Sequence, residues 1–176
     1  MLKKIAALIF LSSPFVTALA ESKTNESICS EEIKWISGKP LKIQEYAILN
    51  ASGKIFDKFV EINSQKNATS ADQLWAYKIL AIGNHILKEY PIESPRIKNI
   101  TSGFSDSATQ IIRGAINFEK FKSQINPLIQ QAEAIDQDLY AEKSALIEED
   151  KKQIDTAYKC VLVTAMQSAS TKAKLN

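Results

Sequence analysis

The sequence predicts an all-α protein, an up-and-down bundle of about five helices with a long C-terminal helix and one disulfide. Three observations support this fold class. Apolar residues recur at helical spacing through most of the chain, and no segment alternates with the two-residue period of a strand. Glycine and proline number only five each among 176 residues, which favours long helices joined by short turns.

Residues 1–20 have the pattern of a cleavable secretory signal peptide. Two lysines precede an apolar run, and the segment ends in the small-residue pattern of Ala18 and Ala20. The apolar run is shorter than the roughly 20 residues that a transmembrane helix needs. We therefore expect residues 21–176 to form one exported domain, periplasmic or alternatively secreted, with no membrane anchor after cleavage.

The mature chain has no excess of positive charge. The full chain has 22 basic and 20 acidic residues, and Lys3 and Lys4 are the only charged residues of the signal. Cleavage therefore leaves 20 residues of each sign. Binding to nucleic acid relies on a basic surface, so the balanced charge argues against a DNA- or RNA-binding function.

The two cysteines, Cys29 and Cys160, predict one structural disulfide. An even pair in an exported protein is most simply oxidised. The bond would join the start of the mature chain to its last helix. The sequence contains no CxxC and no CxxCH, so neither a redox motif nor a haem-attachment motif is present.

Start and stop signals divide the mature chain into five helices. The predicted helices are 31–37, capped by Ser30; 41–64; 71–90, capped by Ser70; 105–124; and 127–168, either continuous or hinged near 148–152. In the second helix, Gly53 is predicted to mark a close helix crossing or a break. The segment 91–105 contains two prolines and is predicted to be the longest loop, and such loops often carry function.

The last helix carries the clearest pattern. Its heptad-like seam has one polar interruption and consists of Leu128, Ala132, Ile135, Leu139, Glu142 and Leu146. Acidic residues also gather in this region, among them Asp136 and Asp138. Such residues suit a cation or a basic partner, but the solvated face of an amphipathic helix is the simpler interpretation.

No assembled catalytic or metal site is visible in the sequence. His85 is the only histidine, and its simplest role is that of a boundary residue paired with Glu89. A di-iron bundle site needs Glu-x-x-His pairs, and position 82 is Ile. A phosphate-binding glycine loop, GxSxG and HExxH are also absent. We therefore expect no enzyme, and no catalytic, metal-binding or cofactor-binding residues.

These features favour an exported domain that binds another exported or periplasmic protein. An inhibitor or immunity protein and an accessory subunit of an envelope system are examples of this class. The predicted contact residues are Trp35, on the short first helix, and Arg96 and Phe104, in the 91–105 loop. The alternative is a bundle that carries a small ligand or a haem, with His85 and Met166 as the axial ligands.

Overall fold

The computed structural model describes residues 29–171, so the predicted signal peptide lies outside the described residues. Within this range the backbone forms seven helices and no strand, which confirms the all-α class. The helices are α1 (Ser30–Ser37), α2 (Leu41–Asn63), α3 (Ser70–Lys88), α4 (Pro95–Ile112), α5 (Phe118–Asp138), α6 (Tyr140–Ala145) and α7 (Glu148–Thr171).

The five long helices form the bundle, and α3 is its central member. One face of α3 packs against α2, and other parts of its surface pack against α4 and α7. α5 packs on α4, the short helix α1 lies against α7 and α2, and the short helix α6 lies against α2. No helix in the described range is both long enough and apolar enough to cross a bilayer.

The N-cap of α3 lies one residue before the predicted cap. Thr69, and not Ser70, is the N-cap residue, because its side-chain oxygen accepts a hydrogen bond from the Asp72 N–H at 3.2 Å. Asp72 returns the interaction by accepting from the Thr69 N–H at 2.8 Å. This reciprocal capping box satisfies two N–H groups that would otherwise lack partners at the helix start.

The prediction of a loop over 91–105 is wrong, because α4 begins at Pro95. The Ser94 side chain caps the helix by accepting from the Ile97 N–H, and Pro95 occupies the first turn, where its missing N–H costs nothing. Ile97, Ile100 and Phe104 then follow at helical spacing and are buried. The proline that suggested a loop is therefore a helix-start residue.

The predicted boundaries of the last two helices are also wrong. Asn117 caps α5, and Pro127 lies inside that helix on an exposed side, where water can replace the lost backbone hydrogen bond. The turn before α5 uses Gly114 instead, whose φ of 67° favours glycine. The region predicted as 127–168 is divided between α5, α6 and α7, so it is not one continuous helix.

Most of the predicted seam is nevertheless buried, and it serves two apolar clusters. Leu128, Ile135 and Leu139 belong to the main core between the long helices. Leu146 belongs to a smaller cluster beneath α1, which also contains Ile36, Ala47, Ile154 and Ala157. The break between α5 and α7 thus lets one sequence seam fill two separate parts of the core.

The predicted disulfide between Cys29 and Cys160 is confirmed, with the two Cα atoms 5.8 Å apart. It joins the residue before α1 to the middle of α7. Cys29 is buried, and its Sγ lies 3.7 Å from the Thr164 hydroxyl. The bond therefore holds the small cluster beneath α1 against the rest of the bundle.

We predict that removing the disulfide lowers the free energy of unfolding by up to about 5 kcal/mol, because a bond across so long a loop restricts the unfolded chain strongly. Urea denaturation of the wild type and of the Cys29→Ser/Cys160→Ser variant measures this loss. Coincident denaturation curves for the two proteins would contradict the prediction.

Candidate functional site

An open groove of about 410 Å³ lies between α2 and α5, above α4. Its apolar lining comes from all three helices: Leu49, Phe56, Ile100, Phe104, Ile129 and Ala132. Polar side chains from α2 and α5 form its rim: Asn50, Lys54, Asp57, Glu133, Asp136 and Gln137. The groove exists because α5 packs against α4, whereas α2 makes few contacts with either of these two helices.

An ion network bridges α2 and α5 at one end of the groove. Arg96, in the first turn of α4, donates from Nε to Glu45 Oε1 at 2.8 Å and from a terminal nitrogen to Glu45 Oε2. Its other terminal nitrogen donates to Asp138 Oδ2 at 2.7 Å. The Ser94 hydroxyl also donates to Glu45 Oε1, at 2.6 Å. One arginine thus links a carboxylate of α2 to a carboxylate of α5.

The network keeps Glu45 charged although the residue is only 4% exposed. Hydrogen bonding from Arg96 lowers the pKa of Glu45 and outweighs the opposing effect of burial, and the Ser94 hydroxyl lowers it further. Hydrogen bonding from Arg96 also lowers the pKa of Asp138. A buried carboxylate with this many donors is stable in its charged form only while the arginine remains in place.

An aromatic cluster occupies the opposite end of the groove. The Phe59 ring centroid lies 5.0 Å from that of Tyr77 and 5.8 Å from that of Phe121, and Tyr77 meets Phe121 edge-on at 5.1 Å. Phe56 stacks on Phe104 at 5.4 Å beside this cluster. These contacts join α2, α3, α4 and α5, so both ends of the groove are held by packed side chains.

Gly53 lies on the α2 wall of the groove and has no packing reason to be glycine. It is exposed, its backbone is helical, and a Cβ placed there would meet nothing within 4 Å. Glycine inside a helix costs about 1 kcal/mol relative to alanine. A helical side chain leans over the preceding turn, so a larger residue at 53 would cover Leu49 and Asn50, which line the groove.

Two other helical glycines show the contrast. A Cβ at Gly83 would lie 2.8 Å from the Ile55 side chain, and one at Gly103 would lie 2.5 Å from the Leu128 side chain. These glycines permit close helix packing. Gly53 marks neither a crossing nor a break, because α2 runs through it without interruption. The effect of Gly53 is to leave open space in the groove.

The structure separates the three predicted contact residues. Phe104 is 3% exposed and contributes to the groove lining only from beneath. The Arg96 guanidinium is bonded to Glu45 and Asp138. Trp35 packs partly against the small cluster beneath α1, with the Lys39 ammonium 4.4 Å from its ring, and does not line the groove.

Most of the other sequence candidates do not line the groove. His85 and Met166 are half-buried on α3 and α7, and neither lines the groove. Of the acidic residues, Asp138 pairs with Arg96, while Asp136 stands on the groove rim. Among residues 29–171, no three His, Cys, Asp or Glu side chains are grouped as ligands for a metal ion.

The groove was not predicted from the sequence, and no known protein offers a comparison for it. No protein-family model, curated protein or solved structure matches the chain significantly. The only local signal was Gly53, an unexplained glycine within a strong helical pattern.

We predict that Arg96→Ala lowers the free energy of unfolding by about 2–3 kcal/mol at pH 7, because it leaves the buried Glu45 carboxylate without its cation. Chemical denaturation measures the loss. Lys122→Ala, which removes an exposed pair with Glu119, is the control and should change stability by less than about 0.5 kcal/mol.

The pH dependence of the free energy of unfolding, compared between the wild type and Arg96→Ala, tests whether the charge of Glu45 causes this loss. The pKa of Glu45 is lowered by folding, so its stabilising contribution is fully present above its unfolded pKa of about 4.3 and is lost progressively as the pH falls from there through the lower folded pKa. The deficit of Arg96→Ala should therefore shrink in acid. A deficit that is the same at pH 3 and pH 7 would exclude the charge of Glu45 as the cause.

We predict opposite effects of alanine at two glycines. Gly53→Ala should raise the free energy of unfolding by about 0.5–1 kcal/mol, since the added Cβ meets open space and alanine favours a helix. Gly83→Ala should lower it by about 1 kcal/mol, because Ile55 must move. Thermal denaturation compares both with the wild type, and a destabilised Gly53→Ala would show that this glycine is needed for folding.

Proposed function

We propose that the protein is an exported binding domain whose groove between α2 and α5 receives a segment of another exported protein. The observation that carries this proposal is Gly53. A glycine that weakens α2, packs against nothing and keeps the groove open is typical of a site where function and stability compete. An inhibitor or immunity protein, or an accessory subunit of an envelope system, would fit this role.

The dimensions of the groove suit a protein segment. From Leu49 to Asp57 its α2 wall extends about 12 Å, or roughly two helical turns, at 1.5 Å per residue. An apolar floor with a polar rim is the usual arrangement of a contact site. Recognition of a helix in such a groove uses side chains spaced three and four residues apart.

Export is supported by two independent features. The pattern of residues 1–20 is typical of segments that direct secretion, and the Cys29–Cys160 bond is of the kind that persists in oxidising compartments. We propose a periplasmic location, with secretion to the medium as the alternative.

The chemistry of the groove favours contact over catalysis. Ser52 is the one hydroxyl side chain of the lining, and it is buried and donates to Asn84 Oδ1 at 2.6 Å. Its hydroxyl is thus committed to the packing of α2 against α3. A nucleophile needs an adjacent base and access to substrate, and Ser52 has neither.

A small-ligand carrier is the second candidate, because the groove volume falls within the range of about 300–1,000 Å³ that small-molecule pockets have. The haem version has less support, since neither His85 nor Met166 lines the groove. Native mass spectrometry of the purified protein tests the carrier: a bound mass that Gly53→Leu removes would favour it over a protein partner.

We predict that immobilised residues 21–176 capture a stoichiometric partner from periplasmic extract and that Gly53→Leu abolishes the capture by filling the groove. Quantitative mass spectrometry of the eluates measures this. Ala71→Leu is the matched control, since it adds the same side chain at an exposed position of α3 outside the groove and should retain the partner. Equal capture by the wild type and Gly53→Leu would contradict the proposed site.

A further inference from the structure

We infer that the occupant of the groove is a basic amphipathic helix, with its apolar face on the groove floor and lysine or arginine side chains along both edges. This inference rests on the proposed function and adds the chemistry of the partner. It follows from the negative charge on the rim, which contrasts with the net charge of +2 of the full chain and the equal numbers of acidic and basic residues in 21–176.

The rim carries three carboxylates and one ammonium group. Asp57 and Glu133 have no ion-pair partner among residues 29–171, so their charge is available to a bound segment. Asp136 accepts from the Lys143 ammonium through both carboxylate oxygens, at 3.4 and 3.3 Å, and is the one rim acid with a cation of its own. In contrast, Asp138 and Glu142, nearby in sequence, are engaged by Arg96 and Lys42.

The single rim cation does not neutralise these acids. The Lys54 ammonium reaches α7, where it lies 3.0 Å from Asp155 Oδ1 and 4.6 Å from the centre of the Tyr158 ring. Asp155 also accepts from Lys159. The Lys54 ammonium is thus oriented toward α7, and the rim has three carboxylates against this one cation, which leaves it net negative.

The acids stand on both walls of the groove. Asp57 belongs to α2, whereas Glu133 and Asp136 belong to α5 and are three residues apart, on one face of that helix. A helix lying between the walls would meet a carboxylate on either side of its apolar face. An acidic segment would place like charges against these carboxylates, and a neutral segment would leave them without a partner. Both effects lower the affinity of the groove for such segments.

The probe for this inference is a displayed library of random peptides of roughly 16 residues, about four helical turns. Selection uses the immobilised wild-type domain, and peptides that also bind Gly53→Leu are discarded. We expect the groove-dependent peptides to be enriched in lysine and arginine at positions flanking an apolar stripe. Groove-dependent peptides without this enrichment would overturn the inference and leave the proposed function intact. Recovery of no groove-dependent peptide would overturn both.

The affinity of one selected peptide then measures the contribution of the rim. We expect Asp57→Asn/Glu133→Gln/Asp136→Asn to weaken binding about tenfold, since each exposed ion pair changes affinity by severalfold at most. The control Glu119→Gln/Glu148→Gln/Glu149→Gln changes the net charge equally at exposed acids outside the groove, and it should leave affinity unchanged. Equal weakening by both triple variants would show a general charge effect and overturn the assignment of these three acids.

Discussion

The groove depends on the bridge that Arg96 makes between Glu45 of α2 and Asp138 of α5. Glu45 is almost fully buried, so its charge needs a donor fixed at its side, and the guanidinium of α4 supplies two. The same guanidinium holds Asp138. The spacing of these three helices is therefore set by hydrogen-bond geometry as well as by the packing of their apolar faces.

This constraint explains why a bundle with a well-filled core keeps an open face. The aromatic contacts of Phe59, Tyr77 and Phe121 hold the far end, and the ion network holds the near end. Between them α2 and α5 are not drawn together, and Gly53 adds no side chain to the gap. The cost of that arrangement is carried by α2, whose helix would be more stable with alanine.

Local sequence signals were sufficient for part of the fold. The signal pattern indicated an oxidising compartment, and this correctly predicted the bond between Cys29 and Cys160. Helical spacing predicted the bounds of α2 to within one residue. The start of α4 was missed because Pro95 is a common loop residue and an equally good first residue of a helix. Pro127 led to a wrong helix start for a related reason. An exposed proline is tolerated within a helix when the packing of neighbouring residues maintains the helix.

The candidate site could not be predicted in the same way. Its walls lie about 80 positions apart in sequence, and their separation follows from tertiary contacts that no local pattern encodes. Gly53 was visible, but a glycine in a helical stripe has the same appearance whether it permits a crossing, as Gly83 does, or leaves space. Likewise, Asp136 and Asp138 are near neighbours in sequence, and only the fold shows that Asp138 is engaged by Arg96.

We propose that the partner occupies the groove between α2 and α5. Carbodiimide labelling of surface carboxylates, quantified by mass spectrometry for the domain alone and for its complex with the captured partner, tests this claim most directly. Binding should slow the labelling of Asp57 and Glu133 and leave that of Glu119 and Glu148 unchanged. Unchanged labelling of Asp57 and Glu133 in a saturated complex, or protection confined to Glu119 and Glu148, would contradict it.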